Sequence, residues 1–354
     1  MRRALAAAAL FVFSAAAAGL AAEGLVRWLR PGLVAGPIPE GSPFWHHDRL
    51  LGWFHQPGER GTFSRGEFSH RASINFLGFR DPERALPGPR GEGDPARVLV
   101  FGDSFTWGHG VEDEEVFTRL LEESSPGVEF WNMAVSAYST DQELLLFRKY
   151  GRDLHSTLVL VMVSRNDFEG NASSAYSTYP KPVFVEEGGK LALAGVPVPD
   201  RGFRLQALEW LRRRSAFING FAWMLGIEGA KESRPRLDSV GQIDLTLEIL
   251  RQFSSEAAGA GARFALGLIP SVAHVYFGPV PHLEARRFEA MRGWGRDAGV
   301  PVLDLVPCFR EAFEGTGLWY HYREDKHWTA EGHRLAAACV KEDLLREKLI
   351  PQGF

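Results

Sequence analysis

The sequence predicts an α/β protein in which a central five-stranded parallel sheet lies between two layers of helices. From Arg97 onward, short apolar runs alternate with segments of helical periodicity. The runs lack the apolar–polar alternation of strands with one face in water, so they are typical of parallel strands buried on both faces. Alternating strands and helices favour right-handed crossovers and a three-layer α/β/α sandwich.

Residues 1–30 predict export or membrane insertion. Two arginines follow Met1, and the stretch from Ala4 to Ala22 carries no charge. A basic start and an apolar segment are typical of a signal sequence, and this length lies at the lower edge for a spanning helix. Helical character with basic and aromatic residues continues to Arg30, so an uncleaved signal anchor is favoured over a cleaved signal peptide. A buried core helix is the third alternative.

Residues 31–95 are predicted to be a linker and an N-terminal extension. Residues 31–43 are rich in proline and glycine, as expected of a linker that leads away from a membrane. Residues 72–80 predict a strand and a turn, and residues 81–96 predict a polar loop. The predicted α/β domain then occupies residues 96–350.

The predicted elements of that domain follow one another in regular order. Strands are predicted at 98–101, 128–132, 158–163, 263–269 and 300–305. Helical spacing covers 115–123, 141–150, 283–298 and 329–345, and Thr329 is placed to cap the last helix.

The chain between the third and fourth predicted strands is too long for a single crossover, so residues 170–237 are expected to form an insertion. A hairpin is predicted around Gly188-Gly189, followed by an amphipathic helix at 205–225. Together they would form a lid beside the site, because inserted elements of this kind shape substrate access.

Composition limits the classes of partner. The 354 residues have a formal net charge of −4 and no long basic tract, which argues against a nucleic-acid partner. Cys308 and Cys339 could pair in an oxidising compartment, but their spacing indicates neither a metal site nor a redox pair. The sequence therefore favours unpaired thiols. No residue pattern assigns a metal ion, and no cofactor is expected.

Ser104 stands where the first predicted strand breaks into Gly102-Asp103-Ser104. A serine at the end of a core strand lies at the carboxyl edge of the sheet, where open α/β folds bind their ligands. Taken alone, such a tripeptide is more often a solvated turn or a helix cap. A serine hydroxyl also needs a base, an acid that orients the base, and donors for the oxyanion before it acts as a nucleophile.

Candidates for these groups follow the later strands. Residues 132–138 come after the second strand, Ser164-Arg-Asn-Asp167 comes after the third, and Glu324-Asp-Lys-His327 precedes the last helix. Loops at the carboxyl ends of parallel strands share one edge of the sheet, so we expect these side chains to converge on Ser104.

Together these blocks resemble the SGNH, or GDSL-type, serine hydrolase superfamily, over residues 97–345. Its signature comprises a serine in Gly-Asp-Ser, a glycine after the second strand, an asparagine in an Asn-Asp pair, and a late histidine preceded by an aspartate. Similar bacterial proteins also carry an Asn-x-x-Gly-Phe-Arg element ahead of the serine, here Asn75 to Arg80. The resemblance implies the flavodoxin-like sandwich of that superfamily.

The resemblance also implies roles for individual residues. Ser104 would be the nucleophile, His327 the general base, and Asp325 the acid that orients the base. The oxyanion donors would be the backbone N–H groups of Ser104 and Ala137 and the side-chain amide of Asn166. Loss of one such donor typically lowers the rate by about 10²–10³-fold.

Three departures from the family pattern bear on these roles. Ala137 stands where the family has glycine, and Ser164 replaces a glycine of the third block. The acid stands two residues before His327, whereas many members place it three before, so Glu324 competes with Asp325 for the role. The two-residue spacing occurs in related O-acetyltransferases, and we favour Asp325.

Other residues near the motifs have either substrate or structural interpretations. Trp107, His109 and Tyr138 could contact substrate, with packing as the alternative. Asp103 and Asp167 are expected to support the loops that carry their neighbours.

The expected function is that of an extracytoplasmic serine esterase, attached to the membrane by its N-terminal helix, or secreted if that helix is cleaved. Its substrate would be an ester, of an acylated carbohydrate or of a lipid. An O-acyltransferase acting on cell-envelope or secreted polysaccharide is the first alternative, because it would use the same residues. A non-catalytic envelope protein that kept the fold is the second.

Overall fold

The structure is a computed structural model, and it describes residues 2–29, 44–88, 91, 93–176, 179–200, 215, 217–218 and 237–351. The chain divides into two compact units. The first contains residues 1–42 and 200–232, and the second contains residues 43–199 and 233–354.

The secondary structure is as follows. Within the described residues, the strands are β1 (Trp45–Asp48), β2 (Gly52–His55), β3 (Arg60–Arg65), β4 (Phe68–Ser73), β5 (Ala96–Gly102), β6 (Val128–Asn132), β7 (Leu158–Val163), β8 (Ala175–Tyr176), β9 (Tyr179–Pro180), β10 (Val183–Glu187), β11 (Lys190–Ala194), β12 (Arg263–Leu268) and β13 (Val302–Asp304). The α-helices of the same residues are α1 (Arg2–Leu29), α2 (Ser104–Trp107), α3 (Phe117–Ser124), α4 (Thr140–Leu146), α5 (Asp167–Asn171), α6 (Ser239–Gly259), α7 (Val272–Tyr276), α8 (His282–Ala298), α9 (Leu305–Thr316) and α10 (Ala330–Arg346).

The second unit is built on a five-stranded parallel sheet with the strand order β13-β12-β7-β5-β6. This confirms the predicted fold class. Strands β6 and β7 match the prediction residue for residue, and all six residues of β7 are buried. Strand β13 is shorter than predicted, and it ends at Asp304 because the Asp304 side chain accepts a hydrogen bond from the Val306 amide at 3.1 Å and so caps α9.

Helices cover both faces of the sheet. On one face, Val98 and Val100 belong to a core that also contains Phe117 of α3 and Trp328. On the other face, the Phe101 ring lies 5.4 Å from that of Phe253 on α6. Because both faces are buried, a strand residue gains about 1.5–3 kcal/mol from burial whichever way it points, and this explains the uniformly apolar runs.

The strand order creates a crevice at one point of the sheet. After β5 the chain crosses to β6 on one side, and after β7 it crosses to β12 on the other side. Neighbouring crossovers that leave in opposite directions open a gap at the carboxyl ends of the two strands, where such folds bind ligands. Ser104 follows β5 and Asn166 follows β7, so both predicted site residues lie at this point.

Two long helices of the second unit were absent from the prediction, namely α6 and α9. Helix α6 is capped by Asp238, whose side chain accepts a hydrogen bond from the Gly241 amide at 2.9 Å. Its glycine and serine residues weaken the helical signal of the sequence, and packing of Phe253 and its neighbours compensates in the fold. The predicted cap of the last helix is confirmed, since Thr329 accepts a hydrogen bond from the Gly332 amide at 3.2 Å.

The N-terminal extension contains more structure than the sequence predicted. Strands β1 and β2 form one antiparallel pair, and β3 and β4 form another. The strand predicted at 72–80 ends at Ser73, and the turn follows it. Phe44 and Phe63 of the extension share a buried cluster with Trp107 of α2, so this segment packs directly behind Ser104.

Residues 2–29 of the first unit form helix α1. In this unit Glu23 accepts hydrogen bonds from Ser215 Oγ at 2.7 Å and from the Phe217 amide at 2.9 Å. Among the residues that the structure describes, no helix combines the length and the apolar character needed to cross a membrane. The membrane anchor predicted for residues 1–30 is therefore not supported. The predicted linker at 31–43 lies outside the described residues.

The predicted hairpin of the insertion is confirmed as β10 and β11, which pair around Gly188-Gly189. Val183 and Phe184 are buried, and a cavity of about 650 Å³ separates the hairpin from α6. None of the predicted site residues lines this cavity. The helix predicted at 205–225 lies outside the described residues except at 215 and 217–218, so the lid stays a prediction.

A disulfide joins Cys308 on α9 to Cys339 on α10, with a Cα–Cα separation of 6.2 Å. The expectation of unpaired thiols is therefore wrong. Both cysteines face the same apolar layer, and sequence spacing could not show that these two helices pack side by side.

Replacing both cysteines by serine should lower the free energy of unfolding by about 3–4 kcal/mol, because the bridge closes a loop of 31 residues in the unfolded chain. Urea unfolding of the wild type and the double variant would measure the difference. Wild-type protein unfolded in the presence of a reductant is the control and should resemble the variant. Equal midpoints for wild type and variant in the absence of reductant would contradict the prediction.

Candidate active site

Ser104 is held at a sharp turn between β5 and the short helix α2. Asp103 caps the helix, and its carboxylate accepts hydrogen bonds from the Phe105 amide at 2.9 Å and from Ser164 Oγ at 2.9 Å. A Cβ at Gly102 would lie 2.2 Å from the Thr106 hydroxyl, so only glycine fits there. These contacts give Asp103 the supporting role predicted for it.

The structure brings Ser104, His327 and Asp325 together in one hydrogen-bonded chain. Ser104 Oγ lies 2.6 Å from His327 Nε2, and His327 Nδ1 bonds an Asp325 carboxylate oxygen. The His327 and Asp325 side chains are 18% and 9% exposed, so both are largely shielded from water. The Glu324 side chain is exposed, so the geometry favours Asp325 over its competitor.

The residue between Asp325 and His327 explains how a two-residue spacing succeeds. Lys326 adopts the left-handed conformation, with φ of 74°. This turn reverses the loop locally and lets the side chains on either side of it meet. The loop is closed at its base, where the Tyr322 amide donates to the His327 carbonyl at 2.8 Å.

Ala137 occupies the position where the family has glycine, and its φ is 67°. Left-handed backbone costs a residue with a Cβ about 1–2 kcal/mol, so the local fold imposes this conformation on alanine. The loop is held to the serine turn by the Val135 amide, which donates to the Gly102 carbonyl at 3.2 Å. The backbone shape expected of a glycine is therefore kept.

Asn166 ends the loop after β7. Its side-chain oxygen lies against Ser164 Oγ, and its side chain also carries an amide nitrogen that can donate. Asp167 accepts hydrogen bonds from the Ser164 amide at 2.8 Å and the Thr140 amide at 2.9 Å. Asp167 thus ties the Asn166 loop to α4, as predicted for a supporting residue.

Buried carboxylates lie beneath these loops. Burial raises the pKa of Asp103, and the hydrogen bond from Phe105 opposes the rise. Burial also raises the pKa values of Asp167 and Glu143 well above their usual range, with further increases from neighbouring carboxylates. Protonated carboxyls can donate as well as accept, which suits them to loops rich in polar groups.

Arg80 is a supporting residue whose role the sequence motif did not explain. Its side chain is 1% exposed, and it donates to Asp113 at 2.7 Å, to the Gly108 carbonyl at 2.5 Å and to the Val111 carbonyl at 2.6 Å. Its guanidinium lies 4.6 Å from the centre of the Trp107 ring. The Asn-x-x-Gly-Phe-Arg element therefore places the Arg80 guanidinium against the backbone carbonyls that follow α2.

Glu67 is a supporting residue that sequence reasoning missed. Its carboxylate accepts hydrogen bonds from the amides of Arg323 at 2.9 Å, Glu324 at 2.6 Å and Asp325 at 2.8 Å. Glu67 lies at the turn between β3 and β4, where a glutamate forms no recognisable pattern. Only its three-dimensional position shows the contact.

Trp107 and Tyr138 lie in the core, and their predicted substrate contacts stay predictions. Both are fully buried, and the Tyr138 hydroxyl donates to the Trp53 carbonyl. His109 is also buried, and its ring centre lies 4.6 Å from that of His327. Its predicted substrate contact stays a prediction.

Within the described part of the chain, His109, Asp325 and His327 form a group whose ligand atoms lie within 4.8 Å of one another. Such spacing could suit a metal ion. However, Asp325 and His327 already bond each other, and this contact accounts for their proximity without one.

The site agrees with a sequence-family match. Residues 100–335 match the model of the GDSL-like lipase/acylhydrolase family, which is more than half of the chain. The chain therefore belongs to this family. No curated protein matches the chain in sequence.

Several solved structures resemble the fold. A member of the lipolytic protein G-D-S-L family from Veillonella parvula is 13% identical, with a TM-score of 0.44, and the match covers 71% of this chain and 99% of that chain. A catalytic mutant of an acetylxylan esterase from Geobacillus stearothermophilus is 12% identical, with a TM-score of 0.42 and coverage of 71% and 95% respectively. At these identities no substrate is assigned to this chain.

Four buried histidines surround the site and make stability depend on pH. Burial lowers the pKa values of His55, His70 and His333 to about 3 and that of His321 to about 4. In the unfolded chain they take up protons below about pH 6.5. Between pH 6.5 and the folded pKa, the unfolded state binds more protons, so the free energy of unfolding falls as the pH falls.

The His70→Phe variant should therefore lose less stability than the wild type on acidification from pH 7 to pH 5. Each such histidine contributes about 1.4 kcal/mol per pH unit within its window. Urea unfolding at both pH values would measure the effect, and His282→Gln, at an exposed position, is the control. The same pH dependence in His70→Phe and wild type would contradict the prediction.

Proposed function

We propose that this protein is a serine esterase that cleaves ester bonds outside the cytoplasm through an acyl-enzyme. The observation that carries the proposal is the hydrogen-bonded chain from Ser104 through His327 to Asp325. Membership of the GDSL-like lipase/acylhydrolase family supports the hydrolase class.

In the first half of the reaction, Ser104 Oγ attacks the ester carbonyl carbon while His327 Nε2 takes the hydroxyl proton. The resulting imidazolium is stabilised by the Asp325 carboxylate. The tetrahedral intermediate then collapses, the bond to the alcohol breaks, and His327 returns the proton to the departing oxygen. The acyl group remains on Ser104.

In the second half, water replaces the alcohol. His327 takes a proton from the water as it attacks the acyl carbon, and the bond to Ser104 breaks. The proton returns to Ser104 Oγ, which regenerates the enzyme and releases the carboxylic acid. The negative charge in both intermediates would be met by the amides of Ser104 and Ala137 and by the Asn166 side chain.

The proposed location outside the cytoplasm has two supports. The basic start and apolar stretch of residues 1–22 are typical of an exported chain. The Cys308–Cys339 disulfide is of the kind that persists in oxidising compartments and is rare in the cytosol. We propose acylated carbohydrates or lipids as substrates, since both are esters available in the cell envelope.

The Ser104→Ala variant should lose about 10⁴-fold or more in kcat with p-nitrophenyl esters, because no other group in the scheme attacks the carbonyl. Wild-type protein should react with a fluorophosphonate, and mass spectrometry should find the label on Ser104. The exposed Ser255→Ala variant is the control and should behave as wild type. A folded wild type that neither reacts nor hydrolyses would refute the proposal, and release that requires an added oligosaccharide would indicate an acyltransferase.

A matched pair of variants tests which carboxylate orients His327. Asp325→Asn should lower kcat by about 10²–10⁴-fold, because the histidine loses the anion that holds its tautomer and stabilises its cation. Glu324→Gln should leave kcat within about twofold, since its side chain is exposed. Equal losses in the two variants, measured as initial rates on the same ester, would rule out the assignment of Asp325.

A further inference from the structure

The turn of the β3–β4 hairpin reaches the loop that carries Asp325 and His327. Glu67 at this turn accepts hydrogen bonds from three consecutive amides, those of Arg323, Glu324 and Asp325, at 2.6–2.9 Å. One carboxylate oxygen takes the first amide and the other oxygen takes the next two. Hydrogen bonds to an ionised acceptor are about twice as strong as neutral ones.

The ionised state of Glu67 is favoured by these contacts. Glu67 is exposed, and although desolvation and the nearby Asp325 charge act to raise the pKa of its carboxyl, the amide hydrogen bonds from Asp325, Glu324 and Arg323 outweigh both and hold the pKa below the usual range. Glu67 is therefore an anion at neutral pH. It bonds the backbone amide of Asp325, whereas the Asp325 side chain bonds His327.

The same hairpin touches the loop at a second point. The Phe68 ring lies 4.9 Å from that of Tyr322, the residue whose amide closes the loop onto the His327 carbonyl. The Tyr322 hydroxyl in turn donates to the Gly110 carbonyl at 2.8 Å, beyond the serine helix. The hairpin thus contacts both the start of the loop and its centre.

We propose that Glu67 is a positioning residue, whose carboxylate fixes the backbone of residues 323–325 so that Asp325 is held against His327. This inference rests on the proposed function of Ser104, His327 and Asp325. Glu67 lies upstream of residue 100, where the family match begins, so it belongs to the extension and not to the shared domain.

The left-handed conformation of Lys326 explains why hydrogen bonds from outside the loop would help to hold it. A left-handed residue with a Cβ is unfavourable, and the loop must be held to keep it. Without Glu67, the backbone amides of residues 323–325 would bond water, and the Asp325 carboxylate could move away from the His327 ring. A displacement of about 1 Å at a reacting group can lower a rate by about 10²-fold.

Substitution of Glu67 tests the proposal through the pattern of kinetic constants. Glu67→Ala should lower kcat for a p-nitrophenyl ester by about 10–100-fold and leave KM within about twofold, because alignment is lost and substrate binding is not. Glu67→Gln should recover part of the loss, since its one carbonyl oxygen can still accept from two amides. Glu187→Ala, at the turn of the β10–β11 hairpin, is the matched control and should keep the wild-type kcat.

A spectroscopic readout separates this inference from the proposed function. The proton shared by His327 Nδ1 and Asp325 should give a downfield ¹H resonance in wild type and Glu187→Ala, absent from Asp325→Asn and lost or shifted in Glu67→Ala. This readout needs no turnover. An unchanged resonance and kcat in Glu67→Ala would overturn the positioning role, whereas an inactive wild type whose resonance still depends on Glu67 would overturn only the esterase proposal.

Discussion

The buried guanidinium of Arg80 holds together the segment that follows Ser104. The carbonyl of Trp107 at the end of α2 and those of Gly108 and Val111 just beyond it all accept from this one side chain. Asp113 balances the charge at 2.7 Å. These carbonyls are hydrogen-bonded by the protein and not by water. The turn after α2 can therefore be buried against the aromatic cluster that contains Trp107, while Ser104 stands at the start of α2. Removing the cation would leave several buried acceptors without a donor.

The polar residues behind the site also have their hydrogen bonds made within the protein before any substrate binds. Asp103, Ser164 and Asp167 bond one another and the backbones of two loops, so that the ends of β5 and β7 are joined by side chains as well as by the sheet. Aromatic rings fill the space beneath. The polar groups left to bind a substrate are those at the mouth of the crevice at the carboxyl ends of β5 and β7. Preorganised donors of this kind need little rearrangement when charge develops on a substrate.

The sequence was sufficient to predict the sheet, since the apolar run of β7 is determined by burial on both faces. It also predicted that Ser104, Asn166 and His327 share one edge, because carboxyl ends of parallel strands must meet there. It could not predict the helix α6, whose glycine and serine residues weaken its periodicity and whose stability comes from packing. Contacts between distant segments were equally invisible. The Cys308–Cys339 pair and the hydrogen bonds of Glu67 depend on which helices and loops become neighbours, and no local pattern records this.

The N-terminal hairpins β1–β2 and β3–β4 belong to the folded unit that carries the site, although they precede the family match. The family match begins at residue 100, yet Phe44, Glu67 and Arg80 all contact the segment that carries the site. A recombinant fragment cut at the family boundary would retain every signature residue and still expose the carbonyls and amides that these three regions cover. The smallest unit able to hold the arrangement therefore starts no later than residue 44. Two homologues with identical motifs but different extensions could accordingly differ in rate without differing at any motif position.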